Sequence, residues 1–445
     1  MGDRRMNLTA KDAKDAKGGY ESRERLSRGA ESRARTESDG LKVLHVFKYP
    51  PGQGGMDYVQ RLHMRRAAAG EGGDVCMALL RRNDRTKRTS EPGLIELGGG
   101  AWSLWWSLRR KAARVFAKER PDVSLYYNCW GADMLADVDT AHLRIGYLHS
   151  SFPGFDNYIK YFSRWLDGFL CVSPALATRV RGCAEGHARE CVASVPCPLN
   201  PAILAMAQES ESGEEQKHRD SARECVIGYS GRLVKEQKRV DRLPELVRLL
   251  ERELAGRDWH FEILGDGPER TWLEKELADE IARGRVRFLG WKDAVGVGQI
   301  LKTWKYYVNV SDYEGLSLAM LEAVAAGCLP VYPNFVSSGK KEEDLPGTAS
   351  SCLYPAGDMP KASTLISLME KSCTENGSRI SILRKTLKNC AFGRTSSNYL
   401  TALGACLDSY QNATPSRTTP LFSARRPSFI FGYNRFYKEL IQGKC

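Results

Sequence analysis

Leu41-Lys42-Val43-Leu44-His45-Val46-Phe47 is an apolar run with β-branched residues, stopped by Pro50 and Pro51 and followed at once by Gly52, Gly54 and Gly55. Such a run, closed by turn residues, predicts a buried strand. A helical stretch from about Asp57 to Ala69 comes next, and Asp74 to Leu80 restores strand character. Strand, glycine loop, helix, strand is the opening of a Rossmann-like unit.

The alternation continues outward from there. Val123 to Cys129, Arg144 to His149, Phe169 to Ser173 and Cys191 to Val195 read as further strands, each separated by enough chain for a helix or a long loop. Pro196, Pro198 and Pro201 then break the periodicity, and the polar stretch from Gln208 to Arg223 reads as a connection. A second series begins with Cys225 to Ser230 and runs through a helix at Val240 to Leu254. Strands at Trp259 to Leu264, Val286 to Leu289 and Tyr306 to Val310 follow, then a compact helix at Ser317 to Ala326 and a strand at Leu329 to Tyr332. The fold class is therefore α/β, with two Rossmann-like domains.

The expected division is a disordered tail over residues 1–39, a first domain over 40–205, a linker over 206–223 and a second domain over 224–410. A turn-rich connection over 411–427 then leads to an apolar C-terminal helix over 428–445, docked on the first domain. The tail offers almost nothing to bury, with a near-repeat through Lys11-Asp12-Ala13-Lys14-Asp15-Ala16-Lys17.

A chain of 445 residues is a natural length for two such domains. Its 42% hydrophobic and 27% charged residues are ordinary globular usage. No segment approaches the roughly 20 consecutive apolar residues that span a bilayer. The net charge of +12 favours an acidic partner. Nucleic acid is not expected, since neither zinc-finger spacing nor an RNA-reading consensus accompanies the charge. Thirteen cysteines, scattered through apolar runs without a metal-knuckle or redox spacing, read as reduced buried thiols. With no leader pattern at the start, the expected compartment is the cytoplasm.

The chemistry-bearing stretch is Asp312-Tyr313-Glu314-Gly315-Leu316-Ser317-Leu318-Ala319-Met320-Leu321-Glu322. Gly315 permits a sharp turn, Ser317 can cap the following helix, and Glu322 falls about one and a half turns inside it. Backbone N–H groups at the start of that helix suit a diphosphate. Glu314 is then placed for sugar hydroxyls and Glu322 for ribose hydroxyls. Considered alone, two glutamates near a helix start are as well read as capping and surface charge. Their place after a buried strand, and before the Gly327-Cys328-Leu329-Pro330-Val331 turn into the next strand, puts them at a strand-edge ligand position.

A second component follows the strand ending at Ser230: Gly231-Arg232-Leu233-Val234-Lys235-Glu236-Gln237-Lys238-Arg239. Arg232 can grip phosphate through its planar fork, and Lys238 adds a mobile positive charge. Both would stabilise a leaving diphosphate more strongly as its charge grows.

Taken together these motifs resemble the retaining nucleotide-sugar glycosyltransferases of family 4, whose fold is called GT-B. Glu314 and Glu322, with seven residues between them, match that family's two-glutamate motif, and Gly327 follows its alanine-rich helix. Gly54-Gly55 matches the first-domain glycine turn, Arg232 and Lys238 the phosphate pair, and Gly265-Asp266-Gly267-Pro268 the glycine-rich turn. His149 matches a substrate-contact histidine after a first-domain strand; burial in the core is its other reading. The order covers residues 41 to 409. It departs from the common spacing where Gln237 precedes Lys238 and Arg239 stands in place of a glycine.

The resemblance implies a two-domain GT-B arrangement and transfer, with retention, from a nucleotide-diphosphate sugar to a hydroxyl acceptor that the sequence does not name. The catalytic candidates are Glu314, His149, Arg232 and Lys238; the donor-binding set adds Gly54, Gly55, Gly315, Leu316, Ser317 and Glu322. The donor is a substrate, and no cofactor or metal is expected: Asp137-Val138-Asp139 has an Asp-x-Asp spacing but reads as a solvated turn in the first domain. A nucleotide-sugar epimerase or phosphorolytic enzyme, and a noncatalytic glycan or nucleotide-sugar sensor, are the alternatives. Trp102, Trp105 and Trp106 before Arg109, Arg110, Lys111, Arg114 and Lys118 are compatible with peripheral association with an anionic membrane at its inner face. Tryptophans packing a helix whose charges face water is the plainer reading.

Overall fold

The structure is a computed structural model. It describes residues 41–51, 55–70, 73–81, 92–99, 105–209, 225–335, 352–371, 380, 383, 387 and 401–403. The expected tail over 1–39, the 411–427 connection and the 428–445 helix lie outside the described residues, as do Gly54 and Trp102.

Two wholly parallel sheets organise the chain. The first holds β1 (Val43–Phe47), β2 (Val75–Leu80), β3 (Leu94–Gly99), β4 (Val123–Tyr127), β5 (Leu143–Leu148), β6 (Gly168–Cys171) and β7 (Val192–Ser194), in the order β3-β2-β1-β4-β5-β6-β7. The second holds β8 (Cys225–Ser230), β9 (Trp259–Leu264), β10 (Val286–Gly290), β11 (Tyr306–Val308), β12 (Leu329–Asn334) and β13 (Leu353–Pro355), in the order β10-β9-β8-β11-β12-β13. Both orders reverse direction once, between β1 and β4 and between β8 and β11. Ligands of open parallel sheets bind beyond the carboxyl ends of the strands at such a reversal.

The apolar runs of the central strands follow from this layering. Every residue of β1 and of β9 is buried, as a strand covered by helices on both faces requires. β3 and β13 were not anticipated. β3 carries two glycines in six residues, and β13 is three residues long; both lie at sheet edges.

The first core cluster gathers residues from β1 to Cys197 and the second gathers those around β8, β9 and β11. A third cluster places Leu199 and Ile203 with Val226, Leu301, Trp304 and Leu321. The chain thus begins packing against the second sheet at Leu199, ahead of the expected linker. Leu383 and Leu387 remain in that third cluster, whereas Leu403 packs into the first. Leu316 and Leu318 touch both the first and the third clusters, so the two halves meet at this loop. The cysteines among the described residues are free thiols, all buried except Cys183. No described helix is long and apolar enough to cross a membrane.

Candidate functional site

The loops after β8 and β11 flank the reversal point of the second sheet, and they carry Lys238 and Glu314. Glu314 is held from several sides. Lys238 Nζ lies 2.6 Å from its Oε1, Ser311 Oγ donates to the same oxygen at 2.8 Å, and Gln237 Nε2 approaches Oε2 at 3.4 Å. Charge-assisted contacts of this kind are the strong ones. Gln237, a departure from the common spacing, also donates to the Tyr313 carbonyl at 3.2 Å and accepts from the Asp312 N–H at 3.0 Å. It stitches the two loops together, a role that only contacts across some 75 residues reveal.

Arg239 accounts for the second departure. Its φ is 47°, in the left-handed region where glycine is at ease. An arginine is tolerated because its guanidinium pairs with Asp241 at 2.9 Å and with Asp312 at 2.8 Å. Arg232 is exposed at the same sheet edge, and its carbonyl accepts from the Tyr229 hydroxyl at 3.1 Å. The glycine-rich turn lies directly against this loop. A Cβ at Gly265 would stand 2.0 Å from the Gly231 carbonyl oxygen, and one at Gly267 would stand 2.4 Å from that of Leu233. Those glycines let two backbones pack at the sheet edge.

The helix Leu318–Ala326 begins where the sequence predicts. Ser317 accepts at 3.4 Å from the Met320 N–H, and Gly327, with φ 95°, ends the helix in the left-handed conformation. Glu322 projects from it, partly buried, and burial pushes its carboxyl up to about 7. Tyr58, on the first-half helix Gly55–Ala69, is pushed up to about 12 by burial; Arg65 opposes this and the Glu322 charge adds to it. Gly55, the described member of the expected glycine pair, is the first residue of that helix.

Gly315 is required for a reason other than a sharp turn. It is not among the described glycines with positive φ. A Cβ there would stand 2.1 Å from the His149 carbonyl oxygen, and Gly315 forms an antiparallel bridge with Ser150. The loop bearing Glu314 therefore lies against the loop that follows β5, bringing His149 to the same seam. The His149 N–H donates to Asn128 Oδ1 at 3.1 Å, and its ring stacks on Tyr127 with centroids 5.3 Å apart. Burial drives the imidazole down to about 3, so it is neutral at ordinary pH.

Two other groupings bring carboxylates together with polar side chains. Asp139 is not in a solvated turn: it is buried and accepts from Ser124 Oγ at 2.9 Å, Tyr126 Oη at 2.6 Å and the Ala141 N–H at 2.9 Å. Its side-chain partners come from β4, so the local Asp-x-Asp spacing conceals a structural anchor, while Asp137 pairs with Arg109. His45, His63 and Asp74 bring ligand-type atoms within 4.8 Å of one another. Arg66 Nε lies 3.4 Å from Asp74 Oδ2, however, and already neutralises that carboxylate. A dication added there would leave a buried excess of positive charge, so the cluster reads as a buried ion pair.

The tryptophans of the basic segment lie on the helix Trp105–Glu119. Trp105 is half-buried under the Arg109 guanidinium, 4.8 Å from its ring. Trp106 is 46% exposed, beside Arg110 and on the helix that also exposes Lys111, Arg114 and Lys118.

Residues 224–366 match the family model described as glycosyl transferases group 1. A stretch of 150 residues is 30% identical to the GtfA subunit of the UDP-N-acetylglucosamine–peptide N-acetylglucosaminyltransferase of Streptococcus parasanguinis, covering 32% of this chain and 28% of that protein. The chain thus matches about a quarter of that relative's length. Among solved structures it is similar to Anabaena HepE in complex with UDP, with a TM-score of 0.62 and 12% identity over 82% of this chain and 100% of that one. It is also similar to sucrose-phosphate synthase from Thermosynechococcus elongatus, with a TM-score of 0.60 and 14% identity over 84% of this chain and 100% of that one. At these identities the two structures bear on the fold alone, and the fold they share is the GT-B arrangement.

Proposed function

We propose that the chain is a glycosyltransferase that moves a sugar, with retention, from a nucleoside-diphosphate sugar to a hydroxyl acceptor. The observation that carries this reading is the meeting of Lys238 and Glu314 at the reversal point of the second sheet, with Gly315 closing on the His149 loop of the first. The group 1 match over residues 224–366 supports the same reading for the second half. That half takes the donor, and the first half takes the acceptor.

In this scheme the bond from the anomeric carbon to the diphosphate oxygen breaks, and the acceptor oxygen bonds to that carbon on the face the diphosphate leaves. The acceptor proton passes to a diphosphate oxygen, so no protein nucleophile is needed. Arg232, Lys238 and the N–H groups around Ser317 stabilise the growing charge on the leaving group without a metal. Glu314 and His149 hold the sugar, Glu322 holds the ribose, and Gly54, Gly55 and Leu316 complete the proposed donor-binding set.

UDP sugars are the first donors to try, because the 30% identical relative is named for UDP-N-acetylglucosamine. The exposed Trp106 beside a row of cations favours a membrane-associated acceptor, as in glycan or glycolipid synthesis at the cytoplasmic face. Intact-product mass spectrometry across a matrix of donors and acceptors, with a chelated sample alongside, tests the proposal. A glycoside plus free nucleoside diphosphate, formed with chelator present, is expected. Isomerised or phosphorolysed donor would favour the epimerase or phosphorylase alternative, and binding without turnover would favour a sensor.

A further inference from the structure

Cys197 sits between Pro196 and Pro198 in the extended stretch that follows β7. Each flanking ring fixes one φ and removes one N–H, so the segment has little freedom to turn the thiol elsewhere. The side chain is buried, 3% exposed, and its Sγ lies 3.7 Å from His149 Nδ1. The hydroxyl of Tyr147, itself buried, hydrogen-bonds to the same thiol. Tyr147 and His149 rings lie 4.2 Å apart, and Tyr127 stacks on the imidazole at 16°, its centroid 5.3 Å from each of the other two.

Counting protons gives this arrangement a direction. A neutral imidazole carries one N–H, on either Nδ1 or Nε2. An sp2 ring nitrogen is a good acceptor and a sulfur a poor one, so S–H donating to Nδ1 is preferred over Nδ1–H donating to sulfur. Tyr147 fits the same order, because a phenol O–H donating to the sulfur leaves the thiol proton for the ring. The imidazole proton then resides on Nε2. That atom is buried and meets no partner among the described residues. A buried N–H left unmet costs about 1–3 kcal/mol.

We propose that Cys197 is a positioning residue: its thiol fixes His149 in the Nε2–H form, so that the ring donates a hydrogen bond to an oxygen of the bound substrate. The class of ligand group that fits is an oxygen acceptor such as a sugar hydroxyl, and a group that can only donate is turned away. The substrate clause rests on the transfer reading, whereas the tautomer does not.

The test uses the full chain labelled with 15N-histidine, His149→Ala identifying the resonance. Long-range 1H–15N correlations of the ligand-free protein should show the proton on Nε2 in the wild type and in Cys197→Ser, and a mixture of tautomers in Cys197→Ala. Turnover should fall about fivefold in Cys197→Ala, the equivalent of one ordinary hydrogen bond, with affinity for the nucleoside diphosphate alone unchanged, and should recover in Cys197→Ser. A proton on Nδ1 in the wild type overturns the proposal, as does an unaltered tautomer in Cys197→Ala. If Cys197→Ala does not fold, the wild-type and Cys197→Ser spectra decide the matter. A tautomer as proposed in a protein that transfers no sugar overturns the transfer reading and the substrate clause together, leaving the thiol's hold on the ring.

Discussion

Lys238 Nζ lies 2.6 Å from Glu314 Oε1, with the carboxylate side chain only 7% exposed. A cation proposed for the diphosphate and an anion proposed for the sugar are thus partners before any donor arrives. On the proposed function an incoming diphosphate would have to share Lys238, and the two residues would act as one unit. Glu314→Gln and Lys238→Gln are each expected to lower kcat/KM roughly 100-fold, about 3 kcal/mol, and the double variant to fall well short of the sum. Steady-state kinetics on the four proteins measure this. Additive losses would show that the two side chains work separately, and unchanged kinetics would remove both from the site.

Glu322 should give nucleotide binding a pH dependence. Its carboxyl is raised from 4.5 to about 7 by burial, and on the proposed function ribose hydroxyls would donate to the ionised form. Affinity for the free nucleoside diphosphate is therefore expected to rise as pH increases through about 7, and Glu322→Gln should weaken binding and flatten that step. Stability runs the other way. In the ligand-free protein the neutral acid's contribution is complete below about pH 4.5 and is lost as pH rises through about 7, by up to about 3 kcal/mol. Urea unfolding should thus find Glu322→Gln more stable than wild type at pH 8 and close to it at pH 4. Equal stability gaps at both pH values would contradict the shift.

Arg239 permits a separation of backbone from side chain. Both Arg239→Gly and Arg239→Ala lose the pairs with Asp241 and Asp312, but only glycine relieves the left-handed φ of 47°. The alanine variant should be the less stable by about 1 kcal/mol in chemical denaturation. Because the pairs are partly exposed, their own loss is expected to be under about 2 kcal/mol in total. An alanine variant as stable as the glycine one would refute the strain.

Gly315→Ala would drive a methyl to 2.1 Å from the His149 carbonyl oxygen, a distance no rotamer can relieve. The Ser150 bridge should open while each half keeps its own core. Turnover is expected to drop roughly 100-fold, since a displacement of about 1 Å at a site has that order of effect, with the urea midpoint little changed. A variant with normal turnover would mean that the seam is irrelevant to catalysis.

Trp106 and Arg110 test the membrane surface. The double change Trp106→Ala with Arg110→Ala should reduce sedimentation with vesicles containing anionic lipid at least tenfold, leaving transfer to a soluble acceptor unaltered. Equal sedimentation of wild type and variant would leave that helix as an ordinary packed element.

Strands that are buried from end to end, such as β1 and β6, were legible because their runs are almost wholly apolar; Ser317 and Gly327 announced the ends of their helix through local capping chemistry. What escaped is non-local. β3 lies at an edge where two glycines dilute its pattern, and Asp139 is anchored by β4 residues its own neighbours do not reveal. The motif residues Glu314 and Lys238 could be named from their order along the chain. Gln237's tie to Tyr313, and the clearance that makes Gly315 necessary, depend on pairs far apart in sequence.

Leu199 packs with the second half, and Leu403 packs into the core of the first. The first half thus completes its core with a residue from beyond the second half in sequence, so a chain cut short after the second sheet would leave a gap in the first.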